Sequence, residues 1–164
     1  MKSRKTVLLT LFAAVVALVL VPASAFAATA TTSFNVNATV QATCLVNATS
    51  LNFGTYSGVQ LDGTSTINVT CTNTTPYTVG LDAGTFTGAT VTTRRMTGPA
   101  AAPLSYALYS DSGRTTNWGN STGSWVSGTG NGSAQGITVY GRIPAAQYAT
   151  PGSYADTIAV TVTY

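Results

Sequence analysis

The stretch Thr66-Ile67-Asn68-Val69-Thr70-Cys71 decides the fold. Its apolar side chains fall on Ile67, Val69 and Cys71 and its polar ones on Thr66, Asn68 and Thr70. That period of two is the repeat of a strand with one buried face, so Cys71 points inward with the apolar set. Working outward, the same alternation recurs at Tyr77, Val79 and Leu81, at Leu104, Tyr106 and Leu108, and at Ile137, Val139, Gly141 and Ile143. It opens the chain at Phe34, Val36, Ala38 and Val40 and closes it at Ile158, Val160, Val162 and Tyr164. Turn signals separate these runs: Asp62-Gly63, Asp82-Ala83-Gly84, Gly98-Pro99, Asp111-Ser112-Gly113, Gly128 to Gly132 and Pro151-Gly152. Trp118 to Gly136 is rich in Gly, Ser, Thr and Asn and reads as a long loop or a weak edge hairpin. Short half-buried strands at hairpin spacing predict an all-β antiparallel sandwich.

Composition agrees. Of 164 residues 45% are hydrophobic and only 7% charged, with no His and no Glu. Polar content rests on Thr, Ser and Asn, which suits strands better than helices. Mean hydropathy of +0.25 argues against disorder.

Three of the seven basic residues, Lys2, Arg4 and Lys5, precede an apolar run from Val7 to Val21 and small residues at Ala23, Ala25 and Ala27. This is the pattern of a secretory signal peptide. The run ends at Pro22, short of the roughly 20 apolar residues of a transmembrane helix. Cleavage is expected after Ala27, with Ala25 and Ala30 as alternatives, giving a leader over residues 1–27. The mature chain then holds Arg94, Arg95, Arg114 and Arg142 against Asp62, Asp82, Asp111 and Asp156, a net charge of zero. The basic pI of 9.0 belongs to the leader. Nucleic acid is therefore not an expected partner, and no transmembrane span is expected after cleavage.

An exported chain with an even cysteine count is read as disulfide-bonded, and Cys44 and Cys71 are the only pair. Closing a loop of about 28 residues is worth roughly 3.5 kcal/mol in the chain-entropy account. Two cysteines alone make a poor metal site, and no cofactor or metal is expected.

Several stretches, in order, resemble one family: Cys44-Leu45-Val46, Leu51-Asn52-Phe53-Gly54-Thr55-Tyr56, Ile67-Asn68-Val69-Thr70-Cys71, Arg95-Met96 and Leu104-Ser105-Tyr106-Ala107-Leu108-Tyr109-Ser110-Asp111. Trp118-Gly119, Val139-Tyr140-Gly141-Arg142-Ile143-Pro144, Gln147, Gly152-Ser153-Tyr154-Ala155-Asp156-Thr157 and Val160-Thr161-Val162-Thr163-Tyr164 continue it. Together they resemble the spore coat protein U domain, the subunit family of archaic chaperone–usher pili. The resemblance implies an incomplete immunoglobulin-like sandwich with an N-terminal donor strand. A periplasmic chaperone lends such a subunit its missing strand, and an outer-membrane usher exchanges that strand for the N-terminal extension of the next, identical or related pilin subunit. It also implies the Cys44–Cys71 disulfide, a donor extension over residues 28–42 and a sandwich domain over 43–164.

By its residues alone, the segment before Cys44 is either a first strand of its own sheet or a strand offered to another molecule. The resemblance favours donation. Burying Phe34, Val36 and Val40 would contribute roughly 5–9 kcal/mol, a large part of the about 5–15 kcal/mol that stabilises a whole domain. Folding and assembly are thereby expected to be coupled. The acceptor groove is expected along Leu45, Leu51, Phe53, Ile158, Val160 and Val162, the alternative being that a face of those strands supplies the permanent core.

Catalysis is not expected. The mature chain lacks His, Glu and Lys, so general bases and amine nucleophiles are nearly absent, and its four Asp are expected to serve turns. Trp118, Trp125, Tyr109 and Tyr140 are weighed as a sugar-binding platform and read as core or half-buried sheet residues. Arg94-Arg95 is read as a solvated turn. The expected product is a structural subunit of a secreted, cell-surface fibre serving adhesion or biofilm formation. Its alternatives are a spore or surface coat protein of the same fold and a carbohydrate-binding adhesin module.

Overall fold

The structure, a computed structural model, describes residues 26–164. The leader expected over residues 1–27 lies, but for its last two residues, outside the described part. Contacts separate a unit ending at Ala38 from one beginning at Thr39.

Among the described residues nine strands follow in order: β1 (Cys44–Ala48), β2 (Leu61–Cys71), β3 (Pro76–Leu81), β4 (Arg95–Thr97), β5 (Pro103–Ser105), β6 (Ala107–Tyr109), β7 (Val126–Thr129), β8 (Gln135–Ile143) and β9 (Val160–Thr163). One sheet runs β1-β2-β8-β6, a second runs β7-β3-β9, and β4-β5 form a two-stranded ribbon. Every pairing is antiparallel.

The alternating apolar sets meet in one core. Ile67, Val69 and Cys71 of β2, Val79 and Leu81 of β3 and Val139 and Ile143 of β8 are buried together with Trp118. Leu104, Tyr106 and Leu108 are all buried, but they do not make one strand. Pairing changes at Tyr106, whose N–H donates to the Arg94 carbonyl, so β5 joins β4 while β6 joins β8. The period of two nevertheless survives in the burial of Leu104, Tyr106 and Leu108 on either side of the change of partner.

Two further expectations need correction. Asp62-Gly63 is no turn: both residues lie within β2, opposite Arg142 and Gly141. Glycine there serves packing, since the facing pair Gly63 and Gly141 leaves the hollow that Leu51 and Phe53 fill. A Cβ on Gly141 would lie 2.7 Å from Leu51 Cδ1 and from Phe53 Cζ.

Arg94 is no solvated turn residue either. Its side chain is wholly buried, and its guanidinium donates to the carbonyls of Asp82, Val91, Leu81 and Trp118. Four carbonyls converging on one cation offset its loss of water. Burial nevertheless pushes the Arg94 pKa down, opposed by the charges of Tyr106, Asp82 and Asp156. Arg95, its neighbour, is exposed and lies over the Phe86 ring.

The alternating segment from Phe34 to Val40 has no strand pairing among the described residues. Phe34, Val36 and Val40 are exposed by more than four-fifths of their surface. A strand exists by pairing its main chain with another, and the described residues give this segment no partner.

Candidate functional site

The two main sheets are open on the same side. β1 is the edge of the first sheet and β9 the edge of the second, and the two strands approach each other there. Hydrogen-bond parity fixes what these edges present. Thr72 N donates to Thr43 O and Thr49 N to Thr66 O. In an antiparallel ladder every second residue bonds to the partner strand, so Thr43, Leu45, Asn47 and Thr49 are the residues bonded to β2. The main-chain groups of Cys44, Val46 and Ala48 point to the open side.

On β9, Asp82 N donates to Ala159 O. Ala159, Thr161 and Thr163 are then the residues bonded to β3, and Val160 and Val162 turn their main-chain groups outward. Both edges thus offer hydrogen-bonding groups from residues whose side chains face the interior.

Between the edges lies a cleft of about 470 Å³. Ala48, Leu51, Phe53, Ile158 and Val160 form its rim, while Ile67, Leu81, Leu108 and Val139 reach up from the core beneath. A second hollow of about 760 Å³ adjoins it, sharing Leu51, Phe53, Met96 and Tyr154. The interior is therefore reachable along a trough bordered by unpaired sheet edges, which is the geometry that accepts an added strand.

Of the groove residues expected from sequence, Leu51, Phe53, Ile158 and Val160 come together in this cleft. Val162 packs on the core farther along β9 without lining the cleft. Leu45 does not belong to the groove. It pairs with Thr70 on the outer face and is 75% exposed. Once Cys71 is read as inward, its partner Cys44 is inward too, and a period of two sends Leu45 out and Val46 and Ala48 in. That signal was available. Met96, Tyr106, Tyr154 and Asp156 also line the cleft; the alternation at Leu104, Tyr106 and Leu108 marks Tyr106 as inward, but no local pattern marks the other three, which arrive from the β4-β5 ribbon and the segment before β9.

Asp156 fastens one end of the cleft. Its Oδ1 accepts from Thr85 N, Thr85 Oγ1 and Thr157 N, and its Oδ2 accepts from the Tyr106 hydroxyl at 2.6 Å. Burial pushes this carboxyl up, but the hydrogen bonds from Tyr106 and Thr85 outweigh it and hold the pKa below its ordinary value. Burial, and then the bond to Asp156, pushes the Tyr106 hydroxyl well above its usual range.

The other carboxylates are also committed to structure. Asp82 accepts from Gly84 N and Ala159 N, and Asp111 from the main chain of Thr115 and Thr116. Asp62 is not at a turn as expected, but forms a two-point pair with Arg142 across β2 and β8. The weighed sugar platform does not assemble. Trp118 is completely buried with Nε1 donating to Val79 O, Trp125 adjoins β7 in the second sheet, and Tyr109 faces Tyr140 in the first.

Cys44 and Cys71 are bonded, as register partners with Cα atoms 4.1 Å apart. The bond joins the first residue of β1 to the last of β2, next to the Thr43–Thr72 hydrogen bond, where the chain enters the sandwich.

Comparison with known proteins agrees with this architecture. The Spore Coat Protein U domain matches residues 30–161. Protein U of Myxococcus xanthus is 36% identical over 155 residues, covering 84% of this chain and 87% of that protein. Among solved structures, similarity extends to a chain of the CsuC–CsuE chaperone–tip adhesion subunit pre-assembly complex from archaic chaperone–usher Csu pili of Acinetobacter baumannii. The TM-score is 0.60 at 24% identity, over 77% of this chain and 41% of that one, a likeness of fold. This chain thus spans about two-fifths of that solved chain. The protein belongs to the Spore Coat Protein U domain family and is a structural protein rather than an enzyme.

Proposed function

We propose that this chain is a subunit of a surface fibre that polymerises by strand donation. Residues 28–42 are the donor, and the sandwich from residue 43 onward is the acceptor. One observation carries the reading: two sheet edges with free main-chain groups flank an open interior, while the same chain carries an exposed alternating segment with no strand partner among the described residues. Val36, Ala38 and Val40, preceded by Phe34, would enter the cleft of a second copy and bond to β9 or β1. Donor and cleft lie on the same chain but serve different neighbours, so the contact is head-to-tail and builds an open filament.

The partners follow from this. An incomplete sandwich exposes core residues until its cleft is filled, so a periplasmic chaperone would occupy it first and an outer-membrane usher would exchange chaperone for subunit. Residues 1–27 would direct export, placing the fibre on the cell surface in a role of adhesion or biofilm formation. The likeness to the Acinetobacter baumannii chaperone–tip adhesion subunit complex supports this reading of the partners.

The test is polymerisation of the Val36→Arg variant. A charged side chain at a buried donor position should leave monomer or chaperone-bound subunit in place of fibres. Fibres of normal length from V36R would refute donation by this segment. The match to the Spore Coat Protein U domain favours a second reading, a surface coat of the same sandwich, which electron microscopy would distinguish as a layer rather than filaments.

A further inference from the structure

We infer that the Cys44–Cys71 disulfide is a mechanical coupling that stops tension on a subunit's own donor segment from opening the cleft that holds the next donor. The inference rests on the strand-donation reading. Three features of β1 carry it.

First, β1 is the root of the donor: only Gln41, Ala42 and Thr43 separate Val40 from Cys44. Second, β1 leads directly into the cleft wall, since Ala48 at its end and Thr49, Ser50 and Leu51 beyond it line the cavity. Third, β1 is weakly held, with five residues paired on one side only and all but Cys44 exposed. Pulling on the donor would load this ladder from its Cys44 end. Its rungs would break one at a time, and each break would move the opening closer to Ala48.

The disulfide joins Cys44 to Cys71 at the first residue pair of β1, with only the hydrogen bonds between Thr43 and Thr72 ahead of it. Load arriving at Cys44 therefore passes covalently into β2, which has 11 residues, pairs on both sides and buries Ile67, Val69 and Cys71. The remaining rungs of β1 lie downstream of that link and carry little of the force. Without it, tension at one joint of the subunit would loosen the wall of the other.

The experiment compares single oxidised fibres of the full mature chain with the same fibres reduced in place by a phosphine, reduction being verified by thiol alkylation. Fibres are held slack or under constant stretching force, and their rupture lifetimes are measured. The ratio of oxidised to reduced lifetime should grow at least about tenfold from slack to stretched, because forced opening is governed by the unfolding rate along the loaded path. A ratio that stays constant with force would overturn the coupling and leave the bond as a general stabiliser. The double variant Cys44→Ala, Cys71→Ala, where it assembles, should behave as reduced fibre; oxidised-like lifetimes under load from it would also overturn the proposal. Oxidised chains that never polymerise would refute strand donation itself, and the coupling with it.

Discussion

The Arg94 guanidinium donates to the main-chain oxygen of Trp118 at 2.7 Å, and neither residue exposes any surface to solvent. Trp118 in turn donates from Nε1 to Val79 O at 2.8 Å. One buried cation and one indole thus tie β3 to the loops that cross its end, where Leu81 forms part of the cleft floor.

Replacing Arg94 by Ala would leave up to four carbonyls without a donor. Each unsatisfied buried group costs about 1–3 kcal/mol, so R94A should lose at least about 3 kcal/mol, or fail to accumulate as folded protein. R95A, at an exposed position, should cost less than about 1 kcal/mol. Urea unfolding of the strand-complemented subunit, or chaperone-bound yield, would check the contrast.

Gly141→Ala tests the seating of the cleft wall. The added Cβ meets Leu51 Cδ1 and Phe53 Cζ at 2.7 Å, so both side chains must shift outward. Overpacking of this kind costs about 1–3 kcal/mol, and donor affinity should fall as well, because the displaced residues border the cleft. Peptide binding to the acceptor, using residues 28–42 as ligand, is the readout.

Val160→Asp should separate the two roles of one chain. Its cleft would reject a donor, yet its own N-terminal segment would remain able to enter a wild-type cleft. Mixed into a wild-type preparation, V160D should shorten fibres in proportion to its fraction. Leu45→Asp alters only the outer face and should leave fibre length unchanged. Length distributions in negative-stain micrographs would decide.

Stability should be insensitive to pH between about 5 and 8, since the chain has no histidine. Asp62, Asp111 and Asp156 all sit below the ordinary value of 3.8. For Asp62 the first cause is the hydrogen bond from Arg142, and for Asp111 the main-chain N–H of Thr116. Carboxyls depressed in the folded state contribute stability that is present above their unfolded pKa and lost as pH falls through the folded one. Melting temperature should therefore hold steady down to about pH 5 and decline from about pH 4 downward. Asp156→Asn should weaken that decline, and a melting series across pH would show it.

Much of this was legible in the order of residues. The period of two at Ile67, Val69 and Cys71 named the buried face of β2 correctly, as did Tyr77, Val79 and Leu81 for β3, because burial on one side of a pleated strand leaves a local imprint. The disulfide was legible because only two cysteines exist. Arg94 was misread: a charged pair beside turn residues looks solvated unless one knows that four carbonyls converge on it from distant loops. Leu45 was misplaced for a different reason, since its face depends on register with β2, although that register was recoverable from the cysteine pair.

The sequence by itself determined that the chain is built of one-sided strands, that residues 28–164 carry four Arg against four Asp, and that an alternating segment stands ahead of the first cysteine. Those properties are local, written in side-chain period and composition. Only the tertiary structure decided that β1 and β9 end as edges on the same side, with inward-facing residues presenting their main chains to an open cleft. Strand order and hydrogen-bond parity arise from pairings between residues far apart in the chain, and no local pattern records which edge is left without a neighbour.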